Sequence, residues 1–281
     1  MNTEADVAGT VAPRGLPEIY AFFALTFAIS WGSGGLFLVF HRALEPVFGR
    51  FGPHNAIFYV AAYAPTLSAL ALSAIFGGTK GVRALLARLA RPVRPVWVVL
   101  AALLFPALAL ALAAMPALGL GPAPASPHAI LTALPAALFA TPLILTNTGP
   151  LGEELGWRGY ALPRLLERMS ALATAVLLGL VWTLWHVPAF LIAGVMGQSL
   201  EGFGWWALDT IALSIVITWL FLHANGNVVV AGMIPHFVIN GMGVTGTWLS
   251  RPPEAAALTL VAVCIVAFDA GRLLREPGER D

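Results

Sequence analysis

Residues 95–116 read PVWVVLAALLFPALALALAAMP, 22 positions without an ionisable side chain. About 20 apolar residues suffice to cross the hydrocarbon core of a bilayer, so this stretch is read as a transmembrane helix. The rest of the chain agrees with it. Of 281 residues, 59% are hydrophobic and 10% are charged, against about 25% charged in soluble globular domains. Mean hydropathy is +0.84. Too few charged side chains are present to cover a water-soluble body of this size. Reading apolar runs between breakers gives eight spans, at 17–40, 55–77, 95–116, 129–149, 171–194, 204–223, 227–249 and 255–274. The expected fold class is an all-α, polytopic membrane protein in a single domain over 1–281, behind a disordered lead at 1–16.

The cations orient this layout. Lys and Arg favour cytoplasmic loops. With eight spans and both termini in the cytoplasm, twelve of the fifteen cations fall inside, among them Arg158, Arg164 and Arg168. Arg42, Arg50 and Arg251 fall outside. The stretch from Pro150 to Ser170 is more polar than its neighbours and reads as a helical continuation or elbow at the cytoplasmic membrane face. A net charge of +1 implies no pull toward nucleic acid. The single cysteine, Cys264, excludes an intrachain disulfide and reads as a small hydrophobe.

Polar residues inside or beside spans are costly and tend to mark function. Three clusters stand out. In Gly152-Glu153-Glu154-Leu155-Gly156-Trp157-Arg158, Glu154 and Arg158 are four apart and pair on one helix face. Glu153 points about 100° away and is left free. In Trp182-Thr183-Leu184-Trp185-His186-Val187-Pro188, an imidazole sits deep in an apolar run. In Pro235-His236-Phe237-Val238-Ile239-Asn240, His236 and Asn240 share a face and offer two N–H donors. Singly, each has a plain structural reading: a solvated helix end for the first, interhelical hydrogen bonding for the others. Together they form a hydrolytic set. A carboxylate and an imidazole can deprotonate a water, and two donors can hold the oxyanion that forms. Neither a Gly-x-Ser-x-Gly elbow nor a His-Glu-x-x-His zinc motif is present.

The three clusters, in this order and spacing, resemble the CPBP intramembrane proteases, which include the type II CAAX prenyl endopeptidases and bacteriocin-processing, Abi-like relatives. That pattern is Glu-Glu-x-x-x-Arg, Phe-x-x-x-His and His-x-x-x-Asn on a mostly eight-helix membrane fold. Glu153-Glu154-x-x-x-Arg158 and His236-x-x-x-Asn240 are intact, whereas Trp182 stands where the pattern has Phe, four before His186. The motif-bearing region runs from about 150 to 241. The swap to Trp182 preserves an aromatic packing group.

The resemblance implies an intramembrane endopeptidase that cleaves a membrane-anchored or lipidated peptide or protein. Glu153 would be the general base, assisted by His186. His236 and Asn240 would form the oxyanion site. Glu154, Arg158 and Trp182 would support them. The family is described both as metalloproteases and as glutamate-dependent proteases. Glu153, His186 and His236 would be the ligands if zinc (Zn2+) is used, three being the number of protein ligands that catalytic zinc sites use. The same residues suffice without a metal. The expected location is the bacterial cytoplasmic membrane, with the site in a cavity open toward the cytoplasm. The alternatives are a transporter, with Asp209 and His223 on a proton path, and a catalytically silent immunity or scaffold relative.

Overall fold

A computed structural model describes residues 15–52, 55–120, 122–139, 148–192 and 200–277. Every regular element among them is helical. In chain order these are α1 (Leu16–Val39), α2 (His41–Phe48), α3 (Ala56–Ala62), α4 (Ala64–Leu86), α5 (Pro95–Ala113), α6 (Pro127–Phe139), α7 (Thr148–Glu154), α8 (Leu162–Leu166), α9 (Ala171–Leu191), α10 (Phe203–His223), α11 (Ile234–Val244), α12 (Pro252–Phe268) and α13 (Ala270–Leu273). Two π-helical segments join neighbouring helices, Leu155–Ala161 between α7 and α8 and Val229–Met233 leading into α11.

Local chemistry sets many of these boundaries. Prolines occupy the first turns of α1, α4, α5 and α12, where a missing N–H costs nothing. The Asn55 side chain caps α3 by accepting from the backbone of Ile57 and Phe58, and Ser170 caps α9 by accepting from Ala173. α4 breaks at Gly78, whose φ of 57° lies in the left-handed region. The span expected at 55–77 ends at that break. Each π segment stops two residues before a proline, Pro163 or Pro235. A proline ring excludes the carbonyl of residue i−4, and the wider π turn accommodates it.

Five helices among the described residues are long and apolar enough to cross a bilayer: Leu16–Val39, Ala64–Leu89, Pro95–Ala113, Ala171–Leu191 and Leu200–His223. Val229–Val244 and Pro252–Phe268 are shorter and apolar. The chain is thus an all-α, multi-pass integral membrane protein. The span expected at 129–149 is described only as Pro127–Phe139; Thr148 and Gly149 already belong to α7. The lead expected over 1–16 falls largely on residues 1–14, which lie outside the described residues.

Side-chain contacts show which helix ends lie together. Arg164 Nε donates to Glu18 Oε2 at 3.0 Å, joining the end of α8 to the start of α1. Arg91 Nη1 donates to the Asn225 carbonyl at 3.1 Å, and Asn227 Nδ2 returns a bond to the Arg91 carbonyl at 2.6 Å. Arg272 Nη1 donates to His223 Nδ1 at 3.0 Å. These contacts gather Arg91, Arg164 and Arg272 at one end of the bundle. At the other end Arg251 reaches the Pro124 carbonyl and the Glu254 carboxylate.

Of the two readings of 150–170, the helical continuation holds. From Thr148 to Leu166 the backbone is helical and lies in the interior. Trp157, Tyr160, Ala161 and Leu162 are fully buried. Phe22 of α1 meets Trp157 edge-on at 5.4 Å and stacks on Tyr160 at 5.2 Å. Glycines make this possible. Gly152 and Gly156, four apart, lay the segment against the backbone of Ala62 and Pro65, the small-residue spacing that lets membrane helices approach closely. Arg158, counted above among the loop cations, is 1% exposed. Its charge is balanced by Glu154 inside the protein, so it does not report on orientation. A methyl group at Gly156 would overlap the Pro65 backbone. Gly156→Ala should therefore lower stability by about 1–3 kcal/mol, the usual cost of overpacking. A thermal melt in detergent measures it.

Candidate active site

Four elements bring the three motifs together. Glu153 and Glu154 end α7, Arg158 lies on the π segment that follows, Trp182 and His186 are one turn apart on α9, and His236 and Asn240 are one turn apart on α11. Arg164 marks the cation-rich end, and Glu153 lies eleven residues before it, which is about 16 Å along a helix. The site is therefore set within the bundle and not at its cation-rich face.

The two neighbouring glutamates have different surroundings. Glu154 is fully buried. Its Oε1 accepts from Arg158 Nη1 at 3.1 Å and from His236 Nδ1 at 2.7 Å. The Glu154–Arg158 pair follows from their spacing. The bond to His236 crosses 82 residues of sequence and ties the first motif to the third. Gly232, one turn before His236, packs its bare Cα against Glu154 Oε2, where a methyl group would overlap the oxygen. Glu153 is 5% exposed. Its Oε2 accepts from Trp182 Nε1 at 2.5 Å, which ties the first motif to the second.

Trp182 sits at the centre. The Arg158 guanidinium lies over its ring at 4.2 Å, a cation–π contact. The His236 ring meets it edge-on at 5.2 Å, and the His186 ring is tilted against it at 5.9 Å. His186 Nδ1 donates to the Trp182 carbonyl at 2.9 Å, which leaves a lone pair on Nε2 in the neutral imidazole. Trp185 and Trp206 close edge-to-face on the same ring at 4.7 and 4.9 Å. The His186 ring is thus held in one orientation in an aromatic box. Pro188, two residues on, removes the helix bond that the Leu184 carbonyl would otherwise accept.

His236 Nε2 and Asn240 Nδ2 both face Gly149, where an added methyl group would overlap the two nitrogens. The bare Cα thus lets α7 pack directly against both groups. Sequence reasoning missed Gly149, although it stands one turn before Glu153 on the same helix. It also missed Trp206 of α10. Among the described residues, no three His, Cys, Asp or Glu side chains converge so as to hold a metal ion. Glu153, His186 and His236 do not form a zinc triad in this arrangement, and no step below runs through a metal.

The groups suggested for a proton path lie apart. Asp209 accepts from Trp248 Nε1 at 3.1 Å and Ser250 Oγ at 2.7 Å, while His223 donates to Asp269 at 2.7 Å. They stand fourteen residues apart on α10, about 21 Å, and belong to separate networks.

Comparison with known proteins selects the same region. Over 144 residues the chain is 31% identical to the CAAX prenyl protease 2 of Methanococcus maripaludis, covering 47% of this chain and 51% of that protein. The chain thus spans about half the length of that curated relative. Residues 135–242, the segment that carries Glu153, Arg158, Trp182, His186, His236 and Asn240, match the family described as type II CAAX prenyl endopeptidase Rce1-like.

Proposed function

We propose that the protein is an intramembrane endopeptidase that hydrolyses a peptide bond in a membrane-anchored or lipidated peptide or protein. The observation that carries this reading is the joining of the three motifs, Glu153 to Trp182 and Glu154 to His236, in one buried cluster. Glu153, aided by His186 Nε2, takes a proton from water as its oxygen bonds to the scissile carbonyl carbon. Negative charge then forms on the carbonyl oxygen, held by His236 Nε2 and Asn240 Nδ2. Transfer of the proton to the amide nitrogen breaks the C–N bond and releases the amine.

The Glu154 bond adds a condition. His236 gives its Nδ1 hydrogen to Glu154, so Nε2 can donate to an oxyanion only in the imidazolium form. Glu154 is placed to balance that charge. The cation-rich end faces the cytoplasm by the positive-inside rule, and the membrane is a bacterial cytoplasmic membrane.

The test compares the termini of membrane peptides from cells carrying the wild type with those from cells carrying His186→Ala. At least one new terminus should appear with the wild type and be lost with His186→Ala. A wild type that yields no terminus of its own overturns the reading.

A further inference from the structure

The aromatic residue of the second motif has a task that a phenyl ring cannot perform. Trp182 Nε1 donates to Glu153 Oε2 at 2.5 Å, within a buried contact. The indole is itself fixed: the Arg158 guanidinium lies over its ring, and the His236 and His186 rings pack against it. The donor is thus anchored by the other groups of the site, and Glu153 is aimed through it.

We infer that Trp182 is a positioning residue, whose indole N–H holds the Glu153 carboxylate in a fixed, water-facing orientation. The inference rests on the reading of Glu153 as the base. The bond occupies Oε2 and leaves Oε1 as the oxygen that meets water. The chain therefore couples its second motif to the base by a hydrogen bond where the Phe-x-x-x-His pattern has only packing.

Trp182→Phe tests this, since it retains an aromatic ring and removes the donor. The kcat for an anchored peptide should fall about tenfold, the weight of one hydrogen bond to a charged group, with KM little changed. A packing role alone would shift a detergent melt and leave the kcat of the folded protein unchanged, so an unchanged kcat overturns the inference.

A second measurement needs neither activity nor a folded Trp182 variant. In ultraviolet resonance Raman spectra, the indole N–H signal from hydrogen-bonded tryptophan should weaken in Glu153→Ala. An unchanged signal overturns the inference. A weakened signal together with full peptidase activity in Glu153→Ala supports the bond and removes Glu153 as the base, so the two failures are distinct.

Discussion

Glu153→Gln is expected to leave a folded protein whose peptidase turnover is lower by roughly 10²–10⁴-fold, the usual contribution of a general base. The substitution is nearly isosteric. The new amide oxygen can still accept from Trp182 Nε1, so the contact that fixes this side chain survives. Glu153 makes neither of the bonds that anchor Arg158 and His236, since both go to Glu154 Oε1. Removing the Glu153 charge therefore leaves the pairing of those cations in place. What is lost is the ability to take a proton from water. Cleavage of an anchored peptide in proteoliposomes, with a detergent melt beside it, separates the two effects. An unchanged melt with lost turnover is the expected result. Retained turnover would remove Glu153 from the mechanism.

How far the site was readable from sequence depends on how local each contact is. The Glu154–Arg158 pair is an i, i+4 contact and followed directly from spacing, as did the freedom of Glu153 from that pair. The shared face of His236 and Asn240 followed in the same way. The apolar runs located most of the helices, and the end of the second span coincided with the break at Gly78. The bond from His236 to Glu154 joins residues 82 apart, and no local pattern encodes it. Trp182 was read as a packing group because only its ring was weighed; its N–H was visible in the residue type, but its target was not.

Arg158 shows why charge counting stops short. A cation count assigns every Arg to a loop unless a buried carboxylate is known to claim it. Here Glu154 does so, and the polar continuation or elbow after Pro150 is a buried helix that carries Glu153. The π segments were likewise hidden. A proline announces a disturbed helix, but whether the chain kinks or widens depends on the neighbours it packs against.

Glu154 should behave in the opposite way to Glu153, although the two are adjacent. Glu154→Leu is expected to lower stability by about 3–5 kcal/mol, the cost of leaving a buried charge without its partner. Arg158 is 1% exposed and His236 is 5% exposed, so water cannot take over the lost role. The effect is asymmetric in a way that a double variant exposes. Once Glu154 is gone, the destabilising element is the Arg158 charge, and Arg158→Met removes it while keeping a long side chain to cover Trp182. Glu154→Leu/Arg158→Met should therefore recover much of the stability lost in Glu154→Leu alone, because replacing both members of a buried pair costs far less than removing one. Activity should not return with it. His236 would still lack the carboxylate that accepts its Nδ1 hydrogen, and with it the countercharge that lets Nε2 donate. Denaturant unfolding of the wild type, both single variants and the double variant closes the cycle. Full activity in the double variant would show that Glu154 braces the helix and nothing more; stability regained without activity assigns it to His236.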